Sequence, residues 1–152
     1  METHTYTTQS EEETERLAAT VAGTLRGGDV LLLEGELGAG KSVFVRGLGR
    51  ALGIVGRMTS PTFVLMRVYA VSEHLTIRHF VHVDAYRVRD PRELIAAGLG
   101  EWLGRDDVIV AIEWGERLAG VAGITVAVRV QVVAGPSETS RTISIQENPR
   151  SG

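Results

Sequence analysis

Val30-Leu31-Leu32-Leu33-Glu34-Gly35-Glu36-Leu37-Gly38-Ala39-Gly40-Lys41-Ser42 is the stretch on which the fold turns. Val30 to Leu33 is a continuous apolar run of strand length, the kind buried on both faces of a parallel sheet. Gly35 to Ser42 fits G-x-x-x-x-G-K-[ST], a match that composition alone would build around this lysine about 1 time in 500. The glycines let the backbone turn so that several N–H groups point inward as an anion nest. A helix is expected from about Lys41 to Leu52, with Phe44, Leu48, Ala51 and Leu52 on its apolar side and Gly53 as its stop. Its positive N-terminal end adds to the nest. Lysine then reaches the terminal phosphates of a nucleotide as a compact charge, and the Ser42 hydroxyl suits Mg²⁺. Glu36, Leu37, Gly38, Ala39, Gly40, Lys41, Ser42 and Val43 are the expected nucleotide-binding positions.

The rest of the chain sets limits on this reading. Its 152 residues amount to about one domain, with hydrophobic content of 43% and charged content of 23%, ordinary for a globular protein. We expect one domain over residues 1–147 and a frayed tail over 148–152. There are no cysteines, which excludes a disulfide framework, a thiolate metal site and a cysteine nucleophile. The polar, acidic start does not read as a signal peptide, and no apolar run approaches the ~20 residues of a membrane span. A cytoplasmic setting is expected. The net charge of −3 argues against DNA binding and against a large tRNA footprint. Of 16 basic residues only Lys41 is lysine. Arginine and lysine are not interchangeable where a narrow nest needs a point charge. The lone lysine also leaves none for the N-K-x-D pattern of guanine readers, so ATP is the expected nucleotide.

Thr3 to Thr8 reads as an edge strand. Ser10 and Glu13 open a helix as a capping box, with Leu17, Ala18, Val21, Ala22 and Leu25 at helical spacing. Thr62–Ala70 and Leu75–Val83 read as a hairpin with its turn near Ser72-Glu73. Asp90-Pro91-Arg92-Glu93 opens a short helix through Ala97. Val108 to Ile112 is a second buried strand. Ile124–Val133 and Thr139–Ile145 form a closing hairpin. The fold class is α/β: a compact, three-layer P-loop NTPase-like fold, its mixed sheet carrying antiparallel hairpin additions.

A P-loop needs acidic partners at neighbouring strand ends. Phe80-Val81-His82-Val83 runs into Asp84, and Val108 to Ile112 runs into Glu113. Either could hold Mg²⁺ or position water; the plainer reading of each is a solvated acid. Glu34 and Glu36 flank the nest without reading as metal ligands. His82 reads as a packed or hydrogen-bonded strand residue, and His4, His74 and His79 are too scattered for a metal site. Trp114 either stacks on a base or packs. Arg78, Arg87, Arg89 and Arg92 read as a solvated face, with a phosphate or RNA contact as the alternative.

The P-loop, Ser60-Pro61-Thr62, His82-Val83-Asp84-Ala85-Tyr86-Arg87 and Ile112-Glu113-Trp114, in this order, resemble the TsaE family, also called YjeE. The combination is specific and spans most of the chain; the C-terminal hairpin carries little of it. The resemblance implies a small ATPase using ATP and Mg²⁺. It implies partners, TsaB and TsaD, which transfer a threonylcarbamoyl group to adenosine 37 of tRNAs reading ANN codons. By this resemblance Lys41, Asp84 and Thr62 are catalytic. Ser42 and Glu113, with Asp84 beside them, hold the metal, and Trp114 lies near the nucleotide. Ser60-Pro61-Thr62 would be a switch-type loop, and Ser10, Glu11 and Arg141 would approach the base. Ser42 departs from the threonine more usual in the family; either hydroxyl serves a metal.

Three functions compete. An ATPase driving a partner complex would turn over slowly alone and faster with its partner. A small-molecule kinase would need a lid and an acceptor pocket, for which Thr62 to Val83 leaves little chain. A nucleotide sensor without turnover would keep its biological function in Asp84→Ala.

Overall fold

A computed structural model describes residues 2–36, 38–54, 58, 65–72, 74–114 and 124–148. The expectations for Leu37 and for Ser60-Pro61-Thr62 lie outside these residues. The elements are β1 (Glu2–Thr8), α1 (Glu11–Ala22), β2 (Val30–Glu34), α2 (Lys41–Leu52), β3 (Met66–Ala70), β4 (His79–Asp84), α3 (Arg92–Ala96), β5 (Val108–Glu113), β6 (Val126–Ala134) and β7 (Arg141–Glu147). A 3-10 turn follows α3 at Leu99–Glu101.

Among the described residues the strands form one seven-stranded sheet in the order β1-β7-β6-β2-β5-β4-β3. The four inner strands β6, β2, β5 and β4 run parallel. The outer pairings, β1 with β7, β7 with β6 and β3 with β4, are antiparallel. This is the mixed α/β sheet expected from the sequence. The apolar run of β2 lies in the parallel part, where side chains alternate between two cores. Leu31 and Leu33 join Ala18, Val21, Phe44 and Leu48 under α1 and α2. Val30 and Leu32 face the other way, into a core with Val83, Leu94 and Leu99. Helices on both faces make three layers.

The helix ends follow their local chemistry. The Ser10 hydroxyl accepts from Glu13 N at 3.1 Å, as a capping box requires. Glu13, however, reaches the N–H of Gln9 at 2.6 Å rather than that of Ser10. Removing this cap should cost about 1 kcal/mol, so Ser10→Ala should lower the unfolding free energy by that amount and shift the urea midpoint down by the same loss divided by an unchanged m. Helix α2 closes with Gly53 at φ +103, and Ile54 N–H returns to Gly49 O at 2.9 Å. Its buried side differs from the expected one: Val45 is inside and Ala51 is exposed, because α2 is gripped by the sheet and by α1. Helix α3 is shorter than expected, and Asp90 accepts from Arg92 N at 3.0 Å from outside it. Asn148, placed in the frayed tail, is tied to β6 through Ala127 O at 2.9 Å and Val126 O at 2.7 Å. The remainder of that tail lies outside the described residues. No helix among them is long and apolar enough to cross a membrane.

Candidate functional site

The site sits where β2, β5 and β4 end together. Gly35 leaves β2 so close to its neighbour that a Cβ would stand 2.5 Å from Val132 O. Gly40 takes φ +106, a conformation that L side chains rarely adopt, and a Cβ there would meet Arg141 Nε at 2.9 Å. Gly40 is the N-cap of α2 and offers no side chain to cap it. The first-turn amides at the positive end of the helix therefore face the loop without a side-chain cap from that position.

Lys41 opens α2 and is 5% exposed. Its ammonium donates to Gly35 O at 2.7 Å and lies 3.7 Å from the centroid of the Trp114 ring. A cation over an aromatic face is attracted by the ring quadrupole. Trp114 follows β5 directly, with φ +63, and its N–H donates to Leu33 O at 3.0 Å. That bond carries the indole from the end of β5 to the P-loop strand. Tyr86 packs on the indole at 4.9 Å between ring centroids. Trp114 thus lies over the lysine at the start of α2.

Asp84 and Glu113 are direct partners across the parallel β4–β5 ladder, and Glu113 also pairs with Leu33 of β2. Glu113 is 7% exposed and His82 2%. His82 Nε2 lies 2.7 Å from Glu113 Oε2. Asp84 is less buried, and its Oδ1 accepts from Tyr86 N at 3.0 Å. Ser42 is exposed on the first turn of α2. Glu34 pairs with Arg129 at 3.1 Å, in keeping with a strand-end acid rather than a metal ligand.

Arg141, at the start of β7, donates through Nε to the carbonyl of Ala39 inside the loop. Its Nη1 donates to Glu138 O and Ser140 O. Glu11, Thr14, Gly40, Val43, Thr139 and Arg141 line one groove at the start of α2. Of the three residues expected near the base, Glu11 and Arg141 meet there, whereas the Ser10 hydroxyl is engaged in capping α1. In the basic stretch, Arg92 makes a fork to Asp90 and Arg78 donates to His74 O. The Arg92 side chain holds the Asp90 carboxyl below its ordinary value. All four arginines are exposed.

The family described as Threonylcarbamoyl adenosine biosynthesis protein TsaE matches residues 8–143. The chain belongs to the TsaE family. It is 42% identical over 107 residues to the tRNA threonylcarbamoyladenosine biosynthesis protein TsaE of Streptomyces coelicolor, spanning 66% of each chain. It is 39% identical over 127 residues to the TsaE of Treponema pallidum, covering 83% of this chain and 90% of that one. The crystal structure of Bacillus subtilis YdiB superposes with a TM-score of 0.69 at 28% identity, over 96% of this chain and 86% of that one. The TsaE match takes in the P-loop, the His82–Arg87 segment and the Glu113-Trp114 pair from which the resemblance was read. Two contacts escaped the sequence reading: Arg141 on the loop carbonyl and Tyr86 on the indole. Neither has a spacing signal, since each joins distant segments. The His82–Glu113 pair had a partial one, because His82 and Asp84 share a strand face and Glu113 ends the next strand.

Proposed function

We propose that this TsaE-family chain is an ATPase that binds ATP with Mg²⁺, hydrolyses it slowly alone, and drives the TsaB and TsaD proteins in forming threonylcarbamoyladenosine at position 37 of tRNAs reading ANN codons, in the cytoplasm. The observation that carries this is Lys41, buried at the mouth of a glycine loop, with Glu113 at the end of the adjoining strand and Asp84 at the end of the next.

The loop amides and Lys41 bind the phosphates. A hydroxyl and carboxylates form a hard oxygen donor set that fits Mg²⁺, so Ser42 and Glu113, with Asp84 beside them, are the residues that would hold it. Bound there, Mg²⁺ would neutralise charge on the terminal phosphates. Asp84 orients the attacking water. Water adds to the γ-phosphorus, the bond to the β–γ bridging oxygen breaks, and ADP and phosphate leave. Thr62, outside the described residues, is proposed to assist from a switch-type loop. Trp114 lies beside the phosphates, and Glu11 and Arg141 border the base; Ser10 supports this edge through the α1 cap.

The direct test is phosphate release from ATP with and without TsaB–TsaD. The reading expects slow turnover alone and stimulation by the pair; a rate the pair leaves unchanged counts against it. A pull-down at controlled ATP and ADP, repeated with Lys41→Ala, tests whether the partner contact follows the nucleotide. Transfer of phosphate to a metabolite would favour a kinase instead. Strong, salt-sensitive tRNA binding by this chain alone would overturn the view that the partners make the tRNA contact.

A further inference from the structure

We propose that His82 is the positioning residue for Glu113: its imidazole holds one carboxylate oxygen so that the rest of the carboxylate is presented to the metal. This rests on the reading of Glu113 as a Mg²⁺ ligand. The two residues stand on adjacent parallel strands but not opposite each other. His82 pairs in register with Ala111, and Glu113 with Asp84. The imidazole therefore spans the diagonal between β4 and β5, reaching Oε2 at 2.7 Å. Both side chains are on the α1/α2 side of the sheet, the side of Phe80, Ile109 and Ala111 and of the P-loop helix.

A carboxylate accepts only, so the nitrogen at this distance is the donor. One Oε2 lone pair is taken by Nε2–H, which leaves Oε1 and the other Oε2 lone pair for further partners. Asp84 is held separately, by the backbone N–H of Tyr86. Each strand-end acid thus has its own anchor. Stability does not account for the pair. Burying a His–carboxylate contact at 2% and 7% exposure carries a desolvation penalty, and packed apolar residues would serve a core as well or better. An orienting partner does account for it, because carboxylates that bind metals are themselves held by hydrogen bonds.

Two amide substitutions isolate the position of the donor. In His82→Gln the amide nitrogen falls near the place of Nε2; in His82→Asn it falls short, near that of Nδ1. The readout is Mg²⁺ affinity of the full chain in complex with ADP, by titration calorimetry, with ADP affinity in EDTA measured alongside. His82→Asn should weaken Mg²⁺ about 10–100-fold with ADP affinity in EDTA unchanged, while His82→Gln keeps most of the parent affinity. Should His82→Asn not fold, His82→Met, which has no donor, is read in its place. Parent-like Mg²⁺ affinity in the donor-free variant overturns the proposal. Glu113→Gln separates the two layers. If it weakens Mg²⁺ and the His82 variants do not, only the positioning role falls. If it leaves Mg²⁺ affinity intact, Glu113 is not a ligand, and the metal assignment falls with it.

Discussion

Lys41→Ala is expected to lower ATP turnover by about 10²–10³-fold, the usual effect of removing one preorganised charge from a developing oxyanion. No other lysine exists to substitute for it. Lys41 as a residue is 5% exposed, so its charge acts where water screens less than at the surface. Lys41→Arg is expected to fail too. The ammonium sits between the Gly35 carbonyl at 2.7 Å and the Trp114 ring at 3.7 Å. A planar guanidinium is larger than a point charge and has no room to spread between those two surfaces. Steady-state phosphate release, with ADP affinity by calorimetry and a thermal melt to verify folding, decides the matter. An arginine variant that turned over like the parent would show that the nest accepts a planar fork. The lone lysine would then be an accident of composition.

Gly47→Ala is expected to destabilise the fold by about 1–3 kcal/mol, against a total stability of about 5–15. In an exposed helix the same change would stabilise by up to about 1 kcal/mol. Here a Cβ would stand 2.7 Å from Glu15 O and 2.8 Å from both Glu15 Cα and the Ala18 Cβ. The obstacle is mostly the backbone of α1, which cannot step aside as a side-chain end can. Helix α1 would have to lift, loosening Ala18 and Val21 from Leu48 beneath it. Gly49→Ala is the internal comparison: its Cβ would meet chiefly the flexible end of Met58. It should therefore cost less. Urea unfolding of the two variants at equal m tests the contrast. If Gly47→Ala proved neutral, the α1–α2 contact would be softer than the structure indicates. Because α2 carries Lys41, its displacement should also weaken nucleotide binding.

The elements legible in the sequence are those whose cause is local. The apolar run of β2 has no polar face, and a strand without one must be covered on both sides. Ser10 and Glu13 announce the start of α1, and Gly53 announces the end of α2. The boundary of α3 was less legible, because its single turn is held by the burial of Leu94 in the second core, which the local signal at Asp90-Pro91 does not show. The burial of Val45 in place of Ala51 was not legible at all. Periodicity gives an apolar stripe but not how far α1 and the sheet wrap around it. Likewise, Asn148 joins the fold through hydrogen bonds to the start of β6, a contact invisible from a polar tail.

The site divides the same way. The sequence by itself determined the glycine nest, its lysine, the hydroxyl beside it and the two acids at strand ends, because each follows from a short run of neighbours in the chain. Only the tertiary structure decided what those groups touch. The ring of Trp114 over Lys41, the imidazole of His82 on Glu113 across 31 positions, and Arg141 on the loop carbonyl across 102 depend on strand order and register. A one-dimensional pattern sets which residues can do the chemistry; the sheet sets which of them meet, because register, not spacing, fixes distance between segments.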